Sequence, residues 1–461
     1  MRKAAKLYAL LGVLLVICAA AFAVSRHENK KEQIRTSGDA ILEIPTETVT
    51  KLAWTNESGS FSFSRGENWT YDADEAFPVD SEKLEALLTQ FQTFRAAFSI
   101  ENVEDFTQYG LDDPVGTVSI TAGDQTYTLT LGSFSKMDQQ RYLTLGNGSV
   151  HLAEHDPLEE FDAVADDLIL NDTVPQFDTA EEISFVGIET YTVTRNEEKA
   201  SICQDDIYFT DDAPLDTSLV NSYLTTLKGL SLTDYVTYNV SEEQLQAYGL
   251  DAPTLTVAIN YSRDTAGSFQ LHLTQDPLEL QAYEEAKEKE ETNLPTVTCY
   301  ARLNDSQIVY EISQSTYDKL TAVSYNTLRH QKLFTADFSS VTAVDVTLNG
   351  EAYTFTYQPA EEKDADGIWL YNGSEIAIYN LRTGLCSMSA TEFTEGTPDG
   401  QEEISVTVHL DNEAFPTFTL TLYRHNGTTC LASVNGEAIA FVSRSQAVDL
   451  IEAINEIILG E

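Results

Sequence analysis

Tyr109-Gly110-Leu111-Asp112-Asp113-Pro114 recurs 139 residues later as Tyr248-Gly249-Leu250-Asp251-Ala252-Pro253. Self-similarity at a fixed, domain-sized distance means that the chain repeats one folding unit in tandem. The spacing is too long for a solenoid repeat, so each copy needs its own sheet, helices and core.

Each copy reads as a short helix ending followed by a strand. Ser241-Glu242-Glu243-Gln244 fits a capping box, with the serine accepting from a free amide and the glutamine reaching back. Gly249 lacks a Cβ and suits the left-handed residue that closes a helix. Counting from it, Leu245 and Leu250 form the apolar pair of a Schellman ending, and Phe106, Gly110 and Leu111 repeat the arrangement. Pro114 and Pro253 bias the residue before them to extended backbone, and strands follow at 115–121 and 254–260. Tyr109, Gly110, Leu111, Asp112 and Pro114, with Tyr248, Gly249, Leu250, Asp251 and Pro253, are thus a structural repeat motif whose residues have local backbone work.

A third unit is more divergent. Tyr142, Leu145, Val150 and Leu152 align without gaps on Tyr300, Leu303, Ile308 and Tyr310, and again on Leu431, Val434, Ile439 and Phe441. The expected fold is α+β: three tandem related modules of antiparallel β-hairpins with packed helices, over 46–175, 176–335 and 336–461. In the first, Asp80 caps a helix carrying Leu84, Leu87, Leu88, Phe91 and Phe94, and a second helix runs from Pro157 to about Ile169. In the second, the opening hairpin joins 190–194 to 201–209, a helix starts near Asp216, and 274–295 is a charged insertion that reads as an exposed helix. In the third, the long amphipathic helix is missing and the repeated stretch has decayed to Phe393-Thr394-Glu395-Gly396.

The N-terminus is of another kind. Residues 1–35 are an anchor and stalk, with polar sequence running on to 45; Leu7 to Val24 is an uncharged run behind Arg2, Lys3 and Lys6. Eighteen residues make roughly 27 Å of helix, near the shortest span of a bilayer, and the basic flank keeps the N-terminus cytoplasmic. This predicts one transmembrane helix at about 7–24, acting as a signal anchor with the body extracytoplasmic. Ala21-Phe22-Ala23 also fits a cleaved signal peptide, and Cys18 lacks the small residues that a lipoprotein site needs before it.

Net charge is −47, with 74 acidic and 27 basic residues; the first 35 residues are basic on balance, which leaves −52 on the remainder. Such a body repels phosphate backbones and anionic lipid surfaces, which excludes nucleic-acid binding. Cys203, Cys299, Cys386 and Cys430 show no CxxC spacing; two bridges or free buried thiols are both open.

No constellation names a reaction. His151 and His155 flank Glu154 at a spacing that binds zinc on a helix, but His151 falls on a hairpin strand. Glu362 to Ile368 imitates an EF-hand start, yet Gly373 stands where the closing glutamate belongs. There is no Gly-x-Ser-x-Gly elbow and no phosphate loop. No residue is singled out as catalytic, cofactor-binding or metal-ligating. Trp54, Trp69 and Trp369 serve either core packing or sugar stacking.

The N-terminal span, the Trp69 strand, the Asp80 helix, the Tyr109–Pro114 stretch and the strand ending Leu129-Thr130-Leu131-Gly132 together resemble the bacterial domain-of-unknown-function family 4340. The resemblance covers the first two modules. Genes of that family often sit beside gliding-motility-type ABC transporter genes. It therefore implies a non-enzymatic, membrane-anchored accessory subunit of an envelope ABC transport system, with a permease and auxiliary subunits as partners. The alternative is a cell-surface ligand-binding protein, one version of which binds glycans.

Overall fold

The computed structural model describes residues 38–360, 367–398 and 400–460. The expected membrane helix at 7–24 lies outside these residues, as does most of the EF-hand-like stretch. Among the described residues no helix is long and apolar enough to cross a membrane.

The chain is mixed helix and sheet, with three antiparallel nine-stranded sheets. The first runs, edge to edge, Trp69–Tyr71, Gly59–Arg65, Val49–Asn56, Gly116–Ala122, Gln125–Ser135, Gln140–Thr144, Val150–Ala153, Phe94–Ile100 and Asp39–Leu42. The second repeats the first eight positions as Tyr208–Thr210, Thr190–Arg195, Thr179–Val186, Leu255–Ser262, Ala266–Gln275, Cys299–Leu303, Val309–Ile312 and Tyr235–Thr237. The third repeats them as Ile368–Tyr371, Glu351–Gln358, Val341–Leu348, Glu402–Leu410, Thr417–Arg424, Thr429–Val434, Glu437–Ser443 and Glu392–Phe393. Only the ninth strand varies. It is Asp39–Leu42 on one edge of the first sheet, and Ala213–Pro214 or Ser374–Ile376 on the opposite edge of the others.

A shared irregularity strengthens the equivalence. The central pair of each sheet shifts register around Thr50, Glu181 and Thr342 respectively. Beyond each bulge, Leu52 faces Ile120, Ile183 faces Ile259 and Val344 faces Val408, all buried. One extra residue re-aims the strand so that its alternating apolar set meets the core.

Helices fill equivalent places. Ser81–Thr89, Thr217–Lys228 and Tyr379–Ser387 follow the outer strands. The first two are capped by Asp80 and Asp216, whose carboxylates accept from two backbone amides each. Leu84 and Leu88 are fully buried, each worth about 1.5–3 kcal/mol of transfer free energy.

Several expectations are corrected. The first helix ends at Thr89, and Phe94 opens a strand instead of extending the helical face. The helix expected over 157–169 is broken into Leu158–Phe161 and a 3-10 turn Ala165–Leu168, because Val164 is extended. The opening hairpin of the second sheet pairs Thr179–Val186 with Thr190–Arg195, and 201–207 is a loop. The third unit keeps its helix, Tyr379–Ser387, which buries Leu381 and Leu385. Gly384 lets Leu450 of the last helix approach it closely. Phe393 belongs to an edge strand, one element before the place where the repeated stretch would fall. Part of the expected stalk, Asp39–Leu42, is an edge strand.

By internal contacts the chain forms two compact units. One holds the first sheet with residues 237–239; the other holds the second and third sheets. Ile202 of the second packs on the core of the third, which is one reason the two share a unit.

Candidate functional site

The repeated stretch does backbone work in both copies. Gly110 and Gly249 are left-handed, at φ +68° and +74°. Leu111 N–H donates to Phe106 O at 3.3 Å and Leu250 N–H to Leu245 O at 2.8 Å, the long bond of a Schellman ending. The helix before the first is a single 3-10 turn, Thr107–Tyr109; before the second it is Glu242–Ala247 with a complete Ser241/Gln244 capping box. Tyr109 packs on Tyr142 with ring centroids 5.0 Å apart, and Tyr248 on Tyr300 at 4.9 Å. In the third sheet Leu431 takes the place of the second tyrosine, and the motif is gone with it. Asp112 and Asp251 are exposed.

His151 and His155 do not converge. His151 is buried, with Nδ1 2.7 Å from Ser99 Oγ and Nε2 without a hydrogen-bond partner, whereas His155 is exposed. Burial lowers the His151 pKa. Trp54, Trp69 and Trp369 are all buried, which removes them as sugar-stacking platforms. The four described cysteines are free.

The position that is Arg141 in the first sheet is Cys299 and Cys430 in the others, by the ungapped hairpin alignment. Arg141 forms a bidentate pair with Asp156, Nε to Oδ1 at 2.6 Å and Nη2 to Oδ2 at 2.8 Å, and donates from Nη1 to Gly132 O at 2.7 Å. Cys299 and Cys430 are buried, and desolvation pushes each thiol up to about 11. These are core-locking positions.

Within the second unit, a cavity of about 300 Å³ lies between the second and third sheets. Its cations are Arg329 and Lys332, with the His330 imidazole beside them, and its apolar wall includes Ile202, Leu333, Phe393 and Phe418. The Arg329 guanidinium lies 4.2 Å from the Phe393 ring centre and 5.1 Å from that of Tyr325. Asp212, the one carboxylate on the wall, is 2.9 Å from Lys199 Nζ. In so acidic a chain, cations on a partly apolar wall make this the place best suited to an anionic ligand with an apolar body.

Beside it is a polar cluster. His330 Nε2 is 2.7 Å from Asp206 Oδ1, and His330 Nδ1 is 3.6 Å from Asp216 Oδ2. Ser201 Oγ donates to Asp206 Oδ2 at 2.7 Å. Cys203 completes the group: one ligand atom each from Cys203, Asp206 and His330 lie within 4.8 Å of one another. The Asp206 side chain is 1% exposed. Desolvation, followed by the charges of Asp205 and Asp206, raises the Cys203 pKa, although the Asp205 amide hydrogen-bonds to the sulfur. The thiol is therefore not a poised nucleophile. The chain places His330 by two backbone ties: Asp216 N–H donates to Leu328 O on one side, and Leu333 N–H to Met388 O on the other. The loop carrying Cys203 and Asp206 is closed by Asn196 N–H to Ile207 O at 2.7 Å and by Ile207 N–H to Thr217 Oγ1 at 3.0 Å.

None of these residues stands out in the sequence. The one available signal was length: Arg65 to Trp69 closes the first hairpin in a tight turn, whereas its counterpart in the second sheet runs from Arg195 to Tyr208.

The fold and cluster define a class: a tandem array of antiparallel sheets with packed helices, and a cavity between the second and third. Two overlapping regions, residues 69–253 and 206–404, match the family model described as a domain of unknown function, DUF4340. The chain belongs to that family. No curated protein and no solved structure matches it.

Proposed function

We propose that this protein is a non-enzymatic, extracytoplasmic accessory subunit of an envelope ABC transport system, held to the membrane by its N-terminal segment. One observation carries the reading. The residues that recur between units cap helices, close hairpins and pack tyrosine on tyrosine, so the duplication multiplies a shape and not an active site. A repeated shape serves partner surfaces. The uncharged run 7–24 behind a basic flank supports the anchor and a cytoplasmic N-terminus. The test is a crosslinked pull-down of the full-length protein from its native membrane, with mass spectrometry of partners and of the mature N-terminus. Recovery of a permease together with residues 1–24 is the expected result. A chain that begins at Val24 and brings down no permease would sink the proposal.

The cavity at Arg329 favours a second reading, a surface ligand-binding protein for an apolar anion. Here the full chain binds a long-chain carboxylate, and Arg329→Ala weakens that binding at least about tenfold, the worth of one charge-assisted contact. Equal affinity in both proteins excludes it.

A further inference from the structure

We propose that Cys203, Asp206 and His330 form a binding site for a divalent transition metal of the zinc class. The three residue types are the sulfur, carboxylate and imidazole donors that such an ion takes. Their ligand atoms already lie within 4.8 Å of one another, and tetrahedral zinc needs donors roughly 3–4 Å apart.

The outer contacts suit the role. Asp206 offers Oδ1 toward His330 while Ser201 holds Oδ2. Asp216 uses Oδ1 to cap its helix, and its Oδ2 stands 3.6 Å from the far nitrogen of His330, close enough to close onto it when the ring shifts toward a metal. A carboxylate behind a histidine fixes the ring and its tautomer, the usual support of a metal-bound imidazole.

Asp206 also has a burial problem that a metal solves. Its carboxylate is almost wholly enclosed, and its side-chain partners are a serine, a histidine and the Cys203 thiol, not lysine or arginine. A buried carboxylate needs a compensating positive charge. The Cys203 thiol also hydrogen-bonds to this carboxylate, which brings the sulfur to the same point as the imidazole. The first sheet lacks the whole arrangement, since its tight turn at Arg65–Trp69 brings in neither a cysteine nor an aspartate. Three protein ligands leave one coordination position, and Ser201 and His330 belong to both the cluster and the cavity wall. The site therefore adjoins the cavity. On binding, the Cys203 proton is released to solvent and the ion takes the thiolate.

The experiment uses the reduced, chelator-treated protein titrated with Co²⁺ and then Zn²⁺. The expected result is one ion per chain, a sulfur-to-cobalt charge-transfer band, and loss of that band when Zn²⁺ displaces the cobalt. Cys203→Ser abolishes the band, Cys386→Ser leaves it, and Asp216→Asn weakens binding about 10–100-fold. A second readout needs no variant: Zn²⁺ slows alkylation of Cys203, but not of Cys386, in the wild-type protein. A band that survives in Cys203→Ser, or an unchanged alkylation rate at Cys203, overturns the proposal and leaves a plain hydrogen-bonded pair.

Discussion

Gly249 shows what a single residue settles. It is left-handed, and a Cβ added there would stand 3.0 Å from Pro277 Cγ and 3.2 Å from Thr274 Oγ1. Gly249→Ala therefore costs about 1–2 kcal/mol for the conformation alone, and more with the crowding, read as a lower urea midpoint at unchanged slope. The Arg141–Asp156 pair behaves differently. The two side chains are 10% and 6% exposed, so Asp156→Ala leaves a buried cation and lowers stability by about 3–5 kcal/mol, whereas replacing both with apolar residues costs less. Thermal unfolding of the single and double variants separates these outcomes. Cys299 and Cys430 carry a pH dependence. Burial keeps each thiol neutral, raised from 9.0 to about 11. The folded state thus holds protons that the unfolded state gives up, so the contribution is complete below pH 9 and is lost as pH rises toward about 11. Stability measured between pH 8 and 11 falls in the wild type, and falls less in Cys299→Ala.

At the scale of elements, the helix Pro277–Glu288 is the largest addition to the common pattern. It joins two adjacent strands, Ala266–Gln275 and Cys299–Leu303, whose pairing reaches Gln275 opposite Cys299. Of its residues Ala286 alone is buried, and Glu279 accepts from the Thr298 amide. Replacing 278–295 with a short Gly/Ser turn therefore costs less than about 2 kcal/mol, one small apolar contact and one hydrogen bond. Circular dichroism melting of the shortened protein checks this. The elements also show where sequence reading fails. Helix 379–387 carries few apolar residues and was expected to be absent; it forms because Gly384 admits the last helix and because Leu381 and Leu385 find a core. The strand Phe94–Ile100 hides behind a helix whose apolar spacing runs on into it, and its pairing with Asp39–Leu42 and Val150–Ala153 stops the helical pattern.

At the scale of the molecule, three equivalent sheets do not make three equal bodies. The second and third share a unit, tied by residues 331–333 lying along 388–390 and by Ile202 on the third core. A fragment over 173–460 unfolds in one cooperative transition by calorimetry, with calorimetric and van't Hoff enthalpies equal. Two separated transitions would contradict the sharing.

The sequence by itself determined what depends on neighbours along the chain. The Asp80 and Ser241 caps, the glycine-closed helix ends, the hairpins and their common spacing all follow from steric and hydrogen-bonding rules that act within a few residues. Tertiary structure alone decided which sheets share a core and where the chain's own donors meet. Cys203 and His330 are 127 residues apart, and nothing in either neighbourhood marks the other. They meet because a lengthened hairpin loop folds back onto the point where the chain leaves the second sheet for the third. That encounter is set by backbone pairing and packing across the whole unit, which no local pattern encodes.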